Sequence, residues 1–118
     1  MKKIYCLSTC DTCKAILQAI DAGGKGFAIQ DIKTEKITAG QLAEMKKMSG
    51  SYESLFSRRA LKFRALGLKD KKLTEKDYCN FILGDYTFLK RPVVLLQNQI
   101  FVGSEKKTVN ELKKAISA

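Results

Sequence analysis

The chain has 118 residues, with 22 lysines and arginines against 12 acidic residues, a net charge of +10 and no histidine. That length suits one domain with a single modest core, and no apolar run approaches membrane-spanning length. Without histidine neither a Cys-His nor a Ser-His pair can form, so a nucleophile must be activated by backbone N–H groups, a helix dipole or cations.

Lys2-Lys3 leads into an apolar stretch too short for a signal peptide, so the expected compartment is the cytoplasm. Thiols stay reduced there, and Cys-x-x-Cys points to redox or metal chemistry rather than to a structural staple. Residues 1–7 read as a short apolar strand. Behind them Ala15, Ile16, Ala19 and Ile20 recur at helical spacing until Gly23-Gly24. Cys10 therefore falls where a strand hands over to a helix. Unpaired N–H groups and the positive end of the helix dipole favour a thiolate at that point. Cys13, three residues on, shares the helix face and lies close enough to join it. This makes Cys10 the expected attacking thiol and Cys13 the expected resolving thiol.

The stretch Phe27-Ala28-Ile29-Gln30-Asp31-Ile32 alternates apolar and polar residues like a second strand, completing a strand–helix–strand unit. From residue 34 to residue 85 the pattern turns helical. Thr38 with Gln41 spells a capping box, Leu42, Met45 and Met48 form a buried stripe, and Ser49-Gly50-Ser51 reads as a loop. Thr74-Glu75-Lys76-Asp77 opens a further helix that carries Tyr78, Phe81 and Ile82 and closes at Gly84. The sheet returns with residues 91–96, a turn at Gln97-Asn98-Gln99 and a strand over residues 100–103. Thr108, with Glu111 three residues later, is expected to cap a last helix with Val109, Leu112 and Ile116 inward. The division expected is a core of residues 1–33 and 86–118 with a helical insertion over residues 34–85, all within one domain.

Ten basic residues against three acidic ones lie between Lys46 and Lys76. Such a bias can serve anionic substrates, acidic proteins or nucleic acid, and a solvated helical surface also explains it. Direct DNA binding is not expected. Arginine is used sparingly, at positions 58, 59, 64 and 91 only. Its planar fork suits oxyanions and carboxylates, which singles out Arg91 first and Arg58 or Arg59 next. The one proline, Pro92, starts a strand. It reads either as an edge position or as a cis Arg91-Pro92 bond beside a site.

Cys6, Cys10 and Cys13 spell C-x3-C-x2-C, the spacing associated with radical iron–sulfur enzymes, but those need a far larger barrel. Zinc would need a fourth ligand, and Cys79 is the one remaining thiol. No metal site is expected, and Cys6 and Cys79 read as small packed side chains. A phosphatase-type loop, cysteine followed by five residues and arginine, is absent at every cysteine.

Tyr5-x4-Cys10-x-Thr12-Cys13, Leu66-Gly67-Leu68, Leu73-Thr74-Glu75 and Leu89-Lys90-Arg91-Pro92-Val93-Val94 together resemble the glutaredoxin-coupled arsenate reductases and their Spx relatives. The resemblance runs from residue 1 nearly to the end. It implies an α/β, thioredoxin-like mixed four-stranded sheet with an inserted helical subdomain, and a cis Arg91-Pro92 bond facing the Cys10 loop. It further implies that Cys10 attacks, that Arg91 binds an oxyanion, and that a second arginine comes from Leu55-Phe56-Ser57-Arg58-Arg59. The reductases place that arginine at the Ser57 position, and the Spx branch places one at the Arg59 position. The reductases also carry a third arginine near the end of the last strand, where this chain has Phe101-Val102-Gly103-Ser104 and Spx proteins have Val-Gly. Typical reductases lack a cysteine at the Cys13 position, whereas Spx proteins use Cys-x-x-Cys as an oxidation switch while contacting RNA polymerase. Gly50 lies within one residue of a loop glycine that Spx uses in that contact.

The expectation is a cytosolic thiol–disulfide oxidoreductase, with Cys10 as nucleophile and Cys13 as resolving thiol. It would bind no cofactor and would be reset by an external thiol system, either glutathione with glutaredoxin or thioredoxin. The alternative is an Spx-type redox-sensing regulator that binds RNA polymerase. Neither reading involves a membrane.

Overall fold

A computed structural model describes residues 1–117. Residues close in space divide into two compact units, Met1–Lys36 with Arg91–Ala118, and Ile37–Lys90.

The first unit carries a four-stranded sheet. Strand β1 (Lys2–Cys6) is followed by helix α1 (Asp11–Ala19) and strand β2 (Ala28–Asp31), and after the second unit come β3 (Val93–Leu96), β4 (Gln99–Val102) and helix α5 (Lys106–Ser117). The strand order is β2-β1-β3-β4, with β1 and β2 parallel and both other pairings antiparallel. This is the thioredoxin-like mixed sheet that the resemblance implies. Ile4, Cys6, Val94 and Leu96 point to one face of it, where they bury against Cys13, Ile20, Phe27 and Leu112. Strand β3 is buried along its whole length, as its run of four apolar residues requires.

Three local expectations change. The hairpin between β3 and β4 turns on Gln97 and Asn98 alone, because Gln99 already pairs with Leu96. The Gln97 N–H is fixed by the Met1 carbonyl at 2.7 Å, and Gln97 takes a φ of +54°. In β2 the expected alternation is inverted: Gln30 is 1% exposed and Ile29 is 49% exposed. Register against β1 sets Gln30 beside Tyr5, and the Gln30 amide donates to the Glu35 carbonyl at 3.0 Å, which satisfies a buried polar group. Helix α5 begins two residues before Thr108, with the Val109 N–H bonded to the Glu105 carbonyl. Thr108 therefore lies inside the first turn and does not cap it.

The second unit carries no strand of the sheet, and its regular elements are helices and turns. It holds α2 (Ala39–Ser49), α3 (Leu61–Ala65) and α4 (Glu75–Gly84), with short 3-10 turns at Glu53–Leu55, Leu68–Asp70 and Tyr86–Phe88. Thr38 and Thr74 each close a complete capping box, with Gln41 and with Asp77, so two otherwise unpaired donors are satisfied at each helix start. Gly50 ends α2 at φ +100°, a left-handed position that glycine takes without strain. Phe56 is fully buried at the centre of this unit. It stacks on Phe88 at 5.1 Å between ring centroids and meets Tyr78 at 4.9 Å, Phe63 at 6.0 Å and Phe81 at 6.3 Å. An isolated antiparallel bridge joins Phe56 to Leu89. Among the described residues no helix is long and apolar enough to cross a membrane.

Candidate functional site

The turn after β1 is pinned at both ends. The Cys10 N–H bonds to the Leu7 carbonyl at 3.0 Å, and the Lys14 N–H bonds to the Cys10 carbonyl at 3.1 Å. Between them the Ser8 hydroxyl donates to the Asp31 carboxylate at the end of β2, and the Lys33 N–H donates to the same group at 3.1 Å. The Ser8 bond and then the Lys33 N–H hold the Asp31 carboxyl below its ordinary range. Parallel pairing of Cys6 with Asp31 brings this carboxylate to the turn. Sequence reasoning missed it, because the pairing joins residues far apart in the chain.

Cys10 is the N-cap of α1, with extended backbone angles of φ −94° and ψ 113°. An N-cap side chain faces the free N–H groups of the first turn, and here that side chain is a half-buried thiol. Burial opposes its ionisation. The Cys13 N–H, the Cys13 thiol, the Thr12 N–H and the Arg91 guanidinium outweigh burial, and the Cys10 thiol falls below its ordinary value. Cys13, fully buried in the core beneath, is displaced the other way. Burial pushes its thiol up to about 11, and the neighbouring Cys10 sulfur adds to this while the Leu7 N–H opposes it. The two adjacent thiols are thus displaced in opposite directions, Cys10 downward and Cys13 upward.

Cys6 is buried in β1, and burial, then Asp31 and Cys10, push its thiol up. Cys79 lies in the second unit, half-buried, where it hydrogen-bonds with the Tyr52 side chain. Among the described residues no three cysteine or carboxylate side chains gather in a way that could hold a metal ion.

Arg91 and Pro92 complete this part of the site. The Arg91-Pro92 bond is cis, and the Pro92 carbonyl accepts the Gly103 N–H at 2.9 Å. The edge-strand reading of Pro92 fails, because the strand it precedes, β3, lies inside the sheet between β1 and β4. Gly103 itself has φ +94°, so a side chain at that position would be strained.

Arg58 and Arg59 belong to the second unit. Arg58 donates to Glu53 at 2.8 Å and to the Tyr78 hydroxyl at 2.9 Å, with Tyr78 also donating to Glu53 at 3.2 Å. Its guanidinium lies over the Tyr78 ring at 5.7 Å. Glu53 and Tyr78, which hold it, carry no sequence signal of that role, since they lie five and twenty residues away. Arg59 lines an open groove of about 630 Å³ together with Arg58, Arg64 and Lys69.

The sequence matches the ArsC family over residues 5–112. Among curated proteins none matches it significantly. Several solved structures share its fold. A possible arsenate reductase from Streptococcus mutans is 25% identical, with a TM-score of 0.75 over 95% of this chain and 97% of that one. The YffB (PA3664) protein is 22% identical, with a TM-score of 0.82 over 98% and 99%. The arsenate reductase from Vibrio cholerae is 16% identical, with a TM-score of 0.78 over 93% and 95%. With the family match spanning nearly the whole sequence, and with the sheet order and the cysteine turn both in place, the chain belongs to the ArsC family, a thiol-dependent oxidoreductase-like family of thioredoxin-like fold.

Proposed function

We propose that the protein is a cytosolic thiol–disulfide oxidoreductase. The Cys10 thiolate attacks one sulfur of a substrate disulfide, forming a mixed disulfide and releasing the other sulfur as a thiolate. Cys13 then gives its proton to the departing group and attacks the Cys10 sulfur. This frees the second substrate thiol and leaves a Cys10–Cys13 disulfide. An external dithiol or thiol pair, glutathione with glutaredoxin or thioredoxin, supplies the two electrons that reset it. Arg91 holds negative charge beside Cys10, on the substrate or on the thiolate itself. The observation that carries this reading is the opposite displacement of two adjacent thiols at the start of α1.

Mild oxidation followed by mass mapping is the test. A Cys10–Cys13 linkage is the expected product, and Cys13→Ala should trap a Cys10 mixed disulfide with glutathione. Both thiols left free, or a Cys6–Cys10 linkage, would refute the resolving role.

A second reading rests on one specific feature. Near the end of the last strand, where the arsenate reductases that the chain resembles carry an arginine, it has Val102-Gly103, with Gly103 in the left-handed region. The Spx branch shares that Val-Gly, and its members use the cysteine pair to control binding to RNA polymerase. Losing one charge-assisted contact to an oxyanion costs about 1.5–3 kcal/mol, or roughly ten- to a hundredfold in rate, so little arsenate turnover is expected. Arg91→Lys separates the two readings, because it keeps the charge and loses the fork. Lost turnover with an unchanged Cys10–Cys13 midpoint supports the enzyme. A shifted midpoint with oxidation-dependent capture of polymerase supports the regulator.

A further inference from the structure

The chain uses arginine at four positions, and three of them, Arg58, Arg59 and Arg64, line one groove of the second unit. Lysine serves everywhere else. Lys69 joins them on the wall, opposed by a single carboxylate, Asp70. Two cations of this region are neutralised internally, Arg58 by Glu53 at 2.8 Å and Lys62 by Asp85 at 2.6 Å. Arg59, Arg64 and Lys69 have no ion-pair partner among the described residues. A solvated face would need neither the groove nor a choice of arginine over lysine.

The same short segment exposes apolar surface. Leu61, on the groove wall, is 90% exposed, and Leu66, just beyond α3, is 51% exposed. They are two of the four large apolar side chains left in solvent among the described residues, the others being Met1 and Ile29. Arginine is enriched at protein-binding surfaces, and an exposed leucine on the same wall adds apolar area that a partner can cover.

We infer that this groove is a docking site for an acidic peptide segment of a partner protein, with leucine-like side chains between its carboxylates. Arg59 and Arg64 present forks that match carboxylates in pairs, Lys69 adds a point charge, and Leu61 receives an apolar side chain. Nucleic acid fits less well. Base stacking needs an exposed aromatic platform, and none of the exposed large apolar residues is aromatic. Phe63, the aromatic on the wall, is half-buried and packs edge-on against Phe56 at 6.0 Å. The site uses neither cysteine, so it goes beyond the thiol chemistry and does not depend on it.

The test is an amide-resolved NMR titration of the full chain with a short synthetic peptide of alternating glutamate and leucine. Shifts should be confined to residues 58–70. Arg64→Glu and Lys69→Glu should each weaken binding roughly tenfold. Leu61→Ser should weaken it several-fold at any ionic strength, because that loss is apolar. Lys113→Glu, the same charge change on α5, should leave the affinity within about twofold. All three groove residues are exposed, so their substitution does not open a core. Absence of binding by the wild-type chain overturns the proposal. So does an equal loss from Lys113→Glu, or tighter capture of a single-stranded oligonucleotide or of anionic vesicles than of the peptide.

Discussion

Residues 37–90 start and stop their helices through devices that close over a few residues and then gather them around one ring, whereas the sheet unit is held by pairings that join its two ends. In the former, Thr38 and Thr74 start helices through boxes three residues long, Gly50 stops one, and Phe56 gathers rings from Phe63, Tyr78, Phe81 and Phe88. In the latter, Tyr5 lies beside both Gln30 and Val93, and the Met1 carbonyl fixes the turn at Gln97. The turn that carries Cys10 belongs to this second kind of structure. Its Cys10 environment takes contributions from Thr12, Cys13 and Arg91, and its Ser8 is fastened by Asp31. Local devices set where each helix begins and ends, and long-range pairing fixes the geometry of the turn that carries Cys10 and Cys13.

The largest effect that would test this contrast is at Phe56. Phe56→Ala should cost about 3–5 kcal/mol, since a fully buried ring with four aromatic neighbours leaves a cavity that short helices cannot refill. Urea unfolding reads it directly, and a loss below about 1 kcal/mol would show that the ring cluster is not what holds residues 37–90.

The helix caps come next. Thr38→Ala and Thr74→Ala should each cost about 1 kcal/mol. Thr108→Ala, by contrast, should stay within about 0.5 kcal/mol, because Thr108 sits inside α5 and caps nothing. Equal losses at all three positions would contradict the helix start at Lys106.

The same contrast explains what could be read from the sequence. Thr38, Thr74, Gly50 and the placement of Cys10 between a strand and a helix are written in neighbouring residues, and each is found where those residues put it. The inward Gln30 is not, because its direction is set by register against β1 and its amide is satisfied by the Glu35 carbonyl. The Thr108–Glu111 signature misleads for a related reason. A capping box can be spelled inside a helix whose true start is one turn earlier. The placement of Cys10 and Cys13 at the start of a helix was legible from spacing, and the nearness of Arg91 to Cys10 was legible from the resemblance. The Ser8–Asp31 bond was not, nor was the hold of Glu53 and Tyr78 on Arg58, since each depends on chain segments brought together by the fold.

Two adjacent thiols driven in opposite directions would separate in the pH dependence of their alkylation. For Cys10 the folded value is depressed, so the thiolate forms at lower pH than in the unfolded chain. Iodoacetamide labelling of Cys10, followed by peptide mass, should rise with a midpoint below that of the urea-unfolded chain. Labelling of Cys13 should lag and rise only toward pH of about 11. Arg91→Gln should move the Cys10 midpoint upward, because one favourable charge is lost. A Cys10 midpoint at or above that of the unfolded chain, or Cys13 labelling first, would rule out the opposite displacement of the two thiols.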